Sequence, residues 1–235
     1  MQNRNGMKFL IKFATRQRPE IFKNTFSRYV DYLSGLNEYE IIVSCDIDDI
    51  LMNNNQMIDF IKSHDNASVF FSNRINKIDA LNRDVDKACD DWQIIISGTD
   101  DMVPVARDYD KIISDKMNQY FSDTDGLLWF YEGFRKDIIV SFAMGRKYYD
   151  RFGWLYYPGY QSMRADCDMT SIAKILGRYK YFDQCLMEHR HHSFKKPNSI
   201  AKDDLYIENH KSIKQDRQVY AKRKNSNFGL VYKSK

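Results

Sequence analysis

Proline, glycine and cysteine are all scarce in this chain: four, ten and four among 235 residues. So few backbone breakers leave no Pro- or Gly-rich stretch to act as an interdomain linker, and the length suits one large domain, or one domain with a tail. Cys45, Cys89, Cys167 and Cys185 form no C-x-x-C pair and lack the spacing of a zinc knuckle. Reduced, partly buried thiols are the reading they support. No apolar run approaches the roughly 20 residues that cross a bilayer. The opening Met1-Gln2-Asn3-Arg4-Asn5-Gly6 leads into no apolar core of a signal peptide. The expectation is a soluble cytoplasmic protein, peripheral to a membrane at most.

What is present is a sizeable core and an uneven charge. Hydrophobic residues make up 43% and charged residues 29%, with 16 Tyr and 15 Phe, which excludes wholesale disorder. The net charge of +4 conceals a basic end. Lys211, Lys214, Arg217, Lys222, Arg223, Lys224, Lys233 and Lys235 face one acid, Asp216, so residues 211–235 carry +7 and residues 1–210 carry −3. Such a segment suits a polyanion, either nucleic acid or an anionic membrane face; a solvated helix and tail with no dedicated partner is the plain alternative.

The first half alternates strand-like and helix-like stretches. Residues 8–14 (KFLIKFA) and 39–45 (YEIIVSC) read as strands, followed by shorter ones at 68–71 and 92–97. Helical patterns fall at 19–33, entered through Pro19, and at 77–89. Strands spaced by helices predict βαβ units and a mostly parallel sheet. Beyond Tyr120 the expectation is a mixed half: strands at 126–130, 138–144 and 179–187, and a helix over 169–176. It would cover the carboxyl edge of the sheet, where sites in open α/β sheets lie.

Acids gather where two of these strands end, at Asp46-Ile47-Asp48-Asp49 and at Gly98-Thr99-Asp100-Asp101. Adjacent carboxylates repel unless a cation or a donor shares them, and Mg²⁺ or Mn²⁺ with substrate phosphates is a common solution. Either cluster alone reads equally as an Asx turn; the pair points to a metal–nucleotide site. In Glu188-His189-Arg190-His191-His192, His189 and His191 would share one strand face and could bind such a metal. Asp166 and Asp168 precede the 169–176 helix and are either its caps or a general base. Arg16 and Arg18 after the first strand, with Lys77 and Asn82, could supply phosphate or base contacts.

Taken in order, these pieces resemble a glycosyltransferase of the GT-A fold, family-2 type. The resemblance opens at Phe13-Ala14-Thr15-Arg16-Gln17-Arg18-Pro19 and continues through Asp46, Asp48 and Asp49 and through Asn76-Lys77-Ile78-Asp79-Ala80-Leu81-Asn82. Thr99-Asp100-Asp101-Met102-Val103-Pro104 resembles the family's DxD equivalent, and Asp123-Thr124-Asp125-Gly126-Leu127-Leu128-Trp129 its next strand. The stretch from Arg164 to Thr170 resembles the acidic motif, and His189-Arg190-His191 the late histidines. The likeness covers roughly residues 8–192. It implies a catalytic domain over 1–210, with a nucleotide-sugar half at 8–105, an acceptor half at 106–210 and the basic segment beyond.

It further implies that Asp46 contacts the nucleobase, with Thr15, Arg16 and Lys77 in the same pocket, and that Asp100 holds the ribose. Asp101 with His189 or His191 would bind Mn²⁺ or Mg²⁺, and Asp166 or Asp168 would deprotonate the acceptor. The implied reaction is inverting transfer from a nucleoside-diphosphate sugar, UDP-linked by preference. The acceptor would be a cell-surface or lipid-linked glycan, or a hydroxylated base in phage or viral DNA. Three features depart from the pattern: a contiguous T-D-D, Asp168 where relatives often carry Glu, and His192 where Pro often follows. A nucleotidyltransferase on a related fold is the runner-up, weakened by the lack of glycine in Thr15–Pro19. A nucleic-acid-binding module would leave the Asp100–Asp101 pair unexplained.

Overall fold

The computed structural model describes residues 6–230; Lys233 and Lys235 of the basic segment lie outside them. Nine strands and eight helices follow in chain order among the described residues. They are β1 (Lys8–Ala14), α1 (Pro19–Asp31), β2 (Glu38–Asp46), α2 (Asn55–Lys62), β3 (Ala67–Ser72), α3 (Lys77–Asn82), β4 (Ile94–Gly98), β5 (Met102–Pro104) and α4 (Tyr109–Tyr120). After these come β6 (Leu127–Phe130), β7 (Ser141–Gly145), α5 (Arg146–Tyr149), α6 (Ala165–Leu176), β8 (Tyr179–Phe182), β9 (Met187–His189), α7 (Asp204–Lys211) and α8 (Ile213–Asn225).

Seven strands form one sheet in the order β3-β2-β1-β4-β7-β6-β8. The first four are parallel, and β7 runs antiparallel to both β4 and β6. The fold is therefore α/β, with a Rossmann-like, mostly parallel sheet continuous with a mixed half. Central strands buried on both faces read as unbroken apolar runs, as Ile41-Ile42-Val43 and Ile94-Ile95-Ile96 do. Phe13 of β1 packs on Phe22, Phe26 and Tyr29 of α1 at centroid distances of 4.9–5.8 Å. Such pairs add about 0.5–1.5 kcal/mol each beyond area burial. A Cβ at Gly98 would come within 2.7 Å of the Phe13 ring, so only glycine lets β4 end against this cluster.

One polar group crosses the core. Lys12 is fully buried, donating from Nζ to the Phe13 and Ala80 carbonyls and to Ser44 Oγ at 2.8–2.9 Å. Burial lowers its pKa to about 7. Through Ala80 it ties α3 to the ends of β1 and β2.

Three predicted elements differ from the observed ones. The 77–89 helix stops at Asn82, where Arg83 turns to extended backbone and Asp84 takes a left-handed φ of 67°, leaving only a 3-10 turn over Val85–Lys87. The 169–176 helix begins four residues earlier, so Asp166 and Asp168 lie inside its first turn rather than ahead of it. The 179–187 strand divides in two. Its first part joins the main sheet beside β6, whereas β9 crosses to pair antiparallel with β5. That crossing delivers His189 to Met102, next to the Asp100–Asp101 turn.

Candidate active site

The carboxyl ends of β1, β2 and β4 converge on a pocket lined by Thr15, Arg16, Arg18, Asp46, Lys77, Asp100 and Asp101. A short turn holds the arginines in place. Gln17 adopts a left-handed φ of 60° and its N–H donates to Asp49 Oδ2 at 2.7 Å. Arg16 then reaches Asp46 at 3.0 Å and closes a two-pronged pair with Asp48 at 2.7 and 3.0 Å. Arg83 donates to the other oxygen of Asp46 at 2.8 Å. Arg74, which the sequence reading passed over, lines the same pocket.

Asp100 and Asp101 are 4% and 8% exposed, so their charges matter. Burial pushes the Asp100 carboxyl up to about 7, and the neighbouring Thr15 hydroxyl and the Arg18 guanidinium at 4.0 Å offset only part of this. Burial would raise Asp101 too, yet the His189 imidazole, with Nε2 3.4 Å from Asp101 Oδ2, helps hold it well below the usual carboxylate range. Thr99 Oγ1 and Tyr206 Oη each donate to Asp101 at 2.8 Å. The His191 ring lies 5.4 Å from that of His189, and burial lowers its pKa to about 4, leaving a neutral imidazole.

Several buried polar atoms here have no hydrogen-bond partner: Thr15 Oγ1, Arg16 Nε, Asp100 Oδ1 and His189 Nδ1. Buried polar groups are normally satisfied, so the pocket wall keeps hydrogen-bonding capacity for water or a bound molecule. A hard divalent cation fits the donor set of Asp101 carboxylate and His189 imidazole, with His191 beside them. Among the described residues no three His, Cys, Asp or Glu side chains converge tightly enough to hold a metal alone. Phosphate oxygens and water would have to complete the shell.

The pocket opens into a wider cleft lined by Glu132, Arg135, Tyr156, Asp166, His189 and His191. Asp166 is half-buried; its Oδ1 accepts the Cys167 N–H at 2.8 Å. Glu132, unnoticed in the sequence, is 1% exposed and keeps Oε2 unpartnered. Its only sequence signal is an acid directly after an aromatic strand.

Two of the expected site residues stand elsewhere. Asp168 points away from the cleft, fully buried, accepting from Arg223 at 2.9 and 3.3 Å and from Tyr160 at 3.0 Å. Two residues along a helix is a rotation of roughly 200°, so Asp166 and Asp168 cannot share a face. Asn82 spends its side chain on the backbone of Leu155 and Tyr156, at 2.6–3.0 Å, and pins the loop before α6.

Neither a protein-family model nor a curated protein matches the sequence. Solved structures do match its shape. TarS of S. aureus, residues 1–349, superposes with a TM-score of 0.57 at 12% identity, over 78% of this chain and 60% of that one. Its complex with UDP gives 0.56 at 13% identity, over 77% and 60%. The mannosyltransferase PcManGT from Pyrobaculum calidifontis, in complex with GDP-Man and Mn²⁺, gives 0.53 at 15%, over 75% of this chain and 54% of that one. The Drosophila β-1,4-galactosyltransferase 7, in complex with manganese, UDP-Gal and xylobiose, gives 0.53 at 11%, over 86% and 79%. This chain thus spans only 60% of the TarS 1–349 chain and 54% of PcManGT. At these identities the likeness is one of architecture: the chain has the GT-A fold.

Proposed function

We propose that this chain is an inverting glycosyltransferase that moves a sugar from a nucleoside-diphosphate sugar, UDP-linked by preference, to an acceptor hydroxyl. The observation that carries the reading is a buried acid pair, Asp100–Asp101, set between a wall of Arg16, Arg18 and Lys77 and a cleft that presents Asp166. Cations opposite paired acids suit a diphosphate bridged by a divalent metal. Asp101 and His189, with His191 next to them, are the residues that would hold Mn²⁺ or Mg²⁺. Such an ion supplies charge neutralisation to the departing diphosphate.

The remaining roles fall to the chain's own groups. Thr15, Arg16 and Asp46 would contact the nucleobase, and Asp100 the ribose. Arg18 and Lys77 would take phosphate oxygens. Asp166 would accept the proton from the acceptor hydroxyl as that oxygen attacks the anomeric carbon from the face opposite the leaving group, so the configuration inverts. The acceptor would be a glycan, free or lipid-linked, or a hydroxylated DNA base. Exposed Lys214, Arg217, Lys222 and Lys224 on α8 suit an anionic partner. No helix among the described residues is long and apolar enough to cross a membrane; attachment at an anionic membrane surface on the cytoplasmic side would use the same basic residues.

Thermal shift across UDP-, GDP-, dTDP- and CMP-sugars, with and without Mn²⁺, tests the donor. A ligand at 100 times its Kd stabilises by about 2.7 kcal/mol. A Mn²⁺-dependent rise that Asp101→Asn removes is the expected result. No shift with any donor would overturn the reading.

A further inference from the structure

The donor pocket already has an occupant. Leu205, Tyr206 and Asn209 of α7 line it, and the space at the arginine side is about 80 Å³, against about 630 Å³ in the adjoining cleft and the roughly 300–1,000 Å³ typical of small-molecule sites. The contacts of this segment are anionic or metal-side ones. The Asp203 carboxylate takes Arg18 Nε and Nη2 at 2.7 and 2.9 Å. Glu208 takes Arg74 Nη2 at 2.6 Å. Tyr206 gives its hydroxyl to Asp101 and lays its ring 4.2 Å from the Arg18 guanidinium carbon. Two carboxylates thus neutralise two arginines that line the pocket, one of them Arg18, the proposed phosphate contact.

The segment is also built to come away. α7 has no buried residue, and Ile207 is 45% exposed. α8, by contrast, is anchored: Asp216 is fully buried and accepts the N–H groups of Gln161, Ser162 and Met163 at 2.7–3.1 Å, while Arg223 holds Asp168. Ser212 ends α7 and begins α8, so a hinge there would free one helix and leave the other docked. Arg18 is buried and cannot be left unpaired at low cost, so the exchange needs an incoming anion that replaces the Asp203 carboxylate as it leaves.

We infer that α7 is an intramolecular occupant of the donor site: Asp203, Tyr206 and Glu208 hold Arg18, Asp101 and Arg74 until a nucleoside diphosphate displaces them. The inference rests on the donor-site reading above. Affinity for a donor is then reduced by the fraction of molecules in which α7 is seated.

The full chain and the triple variant Asp203→Asn, Tyr206→Phe, Glu208→Gln would be titrated with UDP and with GDP, each with Mn²⁺, by calorimetry. Asparagine still caps α7, where Asp203 now accepts the Tyr206 N–H, so the helix survives the change. The variant should bind about tenfold more tightly. Hydrogen exchange in the unaltered chain should speed up over 203–211, and not over 213–225, when nucleotide and Mn²⁺ are added. Equal or weaker binding by the variant, or slower exchange over 203–211, would overturn the inference. Absence of binding by both chains would instead overturn the donor-site reading beneath it.

Discussion

At the carboxyl ends of β1 and β4 the buried carboxylates and their neighbours keep hydrogen-bonding capacity unspent, as Asp100 Oδ1, Thr15 Oγ1 and Arg16 Nε do. Along the seam between α6 and α8 the buried carboxylates have none to spare. Asp168 is closed by Arg223 and Tyr160, and Asp216 by three backbone N–H groups and Ser212. Both regions are acidic and both bury their carboxylates. An unsatisfied buried group costs free energy until a water or a ligand pairs with it, whereas a satisfied one stabilises the fold it sits in. Asp166 and Asp168 bring the contrast to a single helical turn, one facing the cleft and the other the seam.

Three substitutions would break or sharpen that contrast. The largest effect is expected from Asp166→Asn, which should lower nucleoside-diphosphate release from the donor by about 10²–10⁴-fold. Its melting temperature and donor affinity should not move; a stability loss would place Asp166 with the structural acids instead. Asp168→Ala should do the reverse. It leaves Arg223 buried without its partner and should cost about 3–5 kcal/mol in urea unfolding, while the folded fraction still binds donor. Should Asp168→Ala keep full stability yet lose turnover, the two roles would have to be exchanged.

The third effect concerns Asp100, and it depends on pH. Its carboxyl is raised to about 7 by burial, above the unfolded value of about 3.9. The folded chain therefore holds this proton more tightly than the unfolded chain does. Stability from that source is complete below pH 4 and is lost as pH rises towards 7. Asp100→Asn escapes the loss, so its advantage over the unaltered chain should grow between pH 4 and 7 and then level off. Three pH units bound the gain at about 4 kcal/mol. The same variant should bind nucleotide and Mn²⁺ more weakly, as expected where a site is kept at the expense of stability. An advantage independent of pH would show that the carboxylate is ionised throughout.

Much of the architecture was legible before the structure. Runs such as Ile94-Ile95-Ile96 can be little other than buried strands, and the acids at their ends pointed to the sheet edge where the pocket lies. Element boundaries were less legible wherever a side chain interrupts the pattern through a distant partner. α3 ends where Asn82 turns to Leu155 and Tyr156, more than seventy residues on. The 179–187 stretch reads as one strand because nothing local says that its second half will find β5.

α7 and α8 were the least legible. Charged and polar residues outnumber the apolar ones in both, so the 211–235 segment read as a charged appendage, although Asp216 and Arg223 are its anchors and Asp203, Tyr206 and Glu208 reach the pocket. By itself the sequence determined the parallel sheet, the chemistry at its edge and the order of the motifs, because periodicity and strand-end acids are local properties of the chain. Only the tertiary structure decided which of two neighbouring aspartates meets the cleft and which helix lines the pocket at the sheet edge. Those outcomes depend on the rotation of a helix and on contacts made across up to 185 residues of chain, which no local pattern encodes.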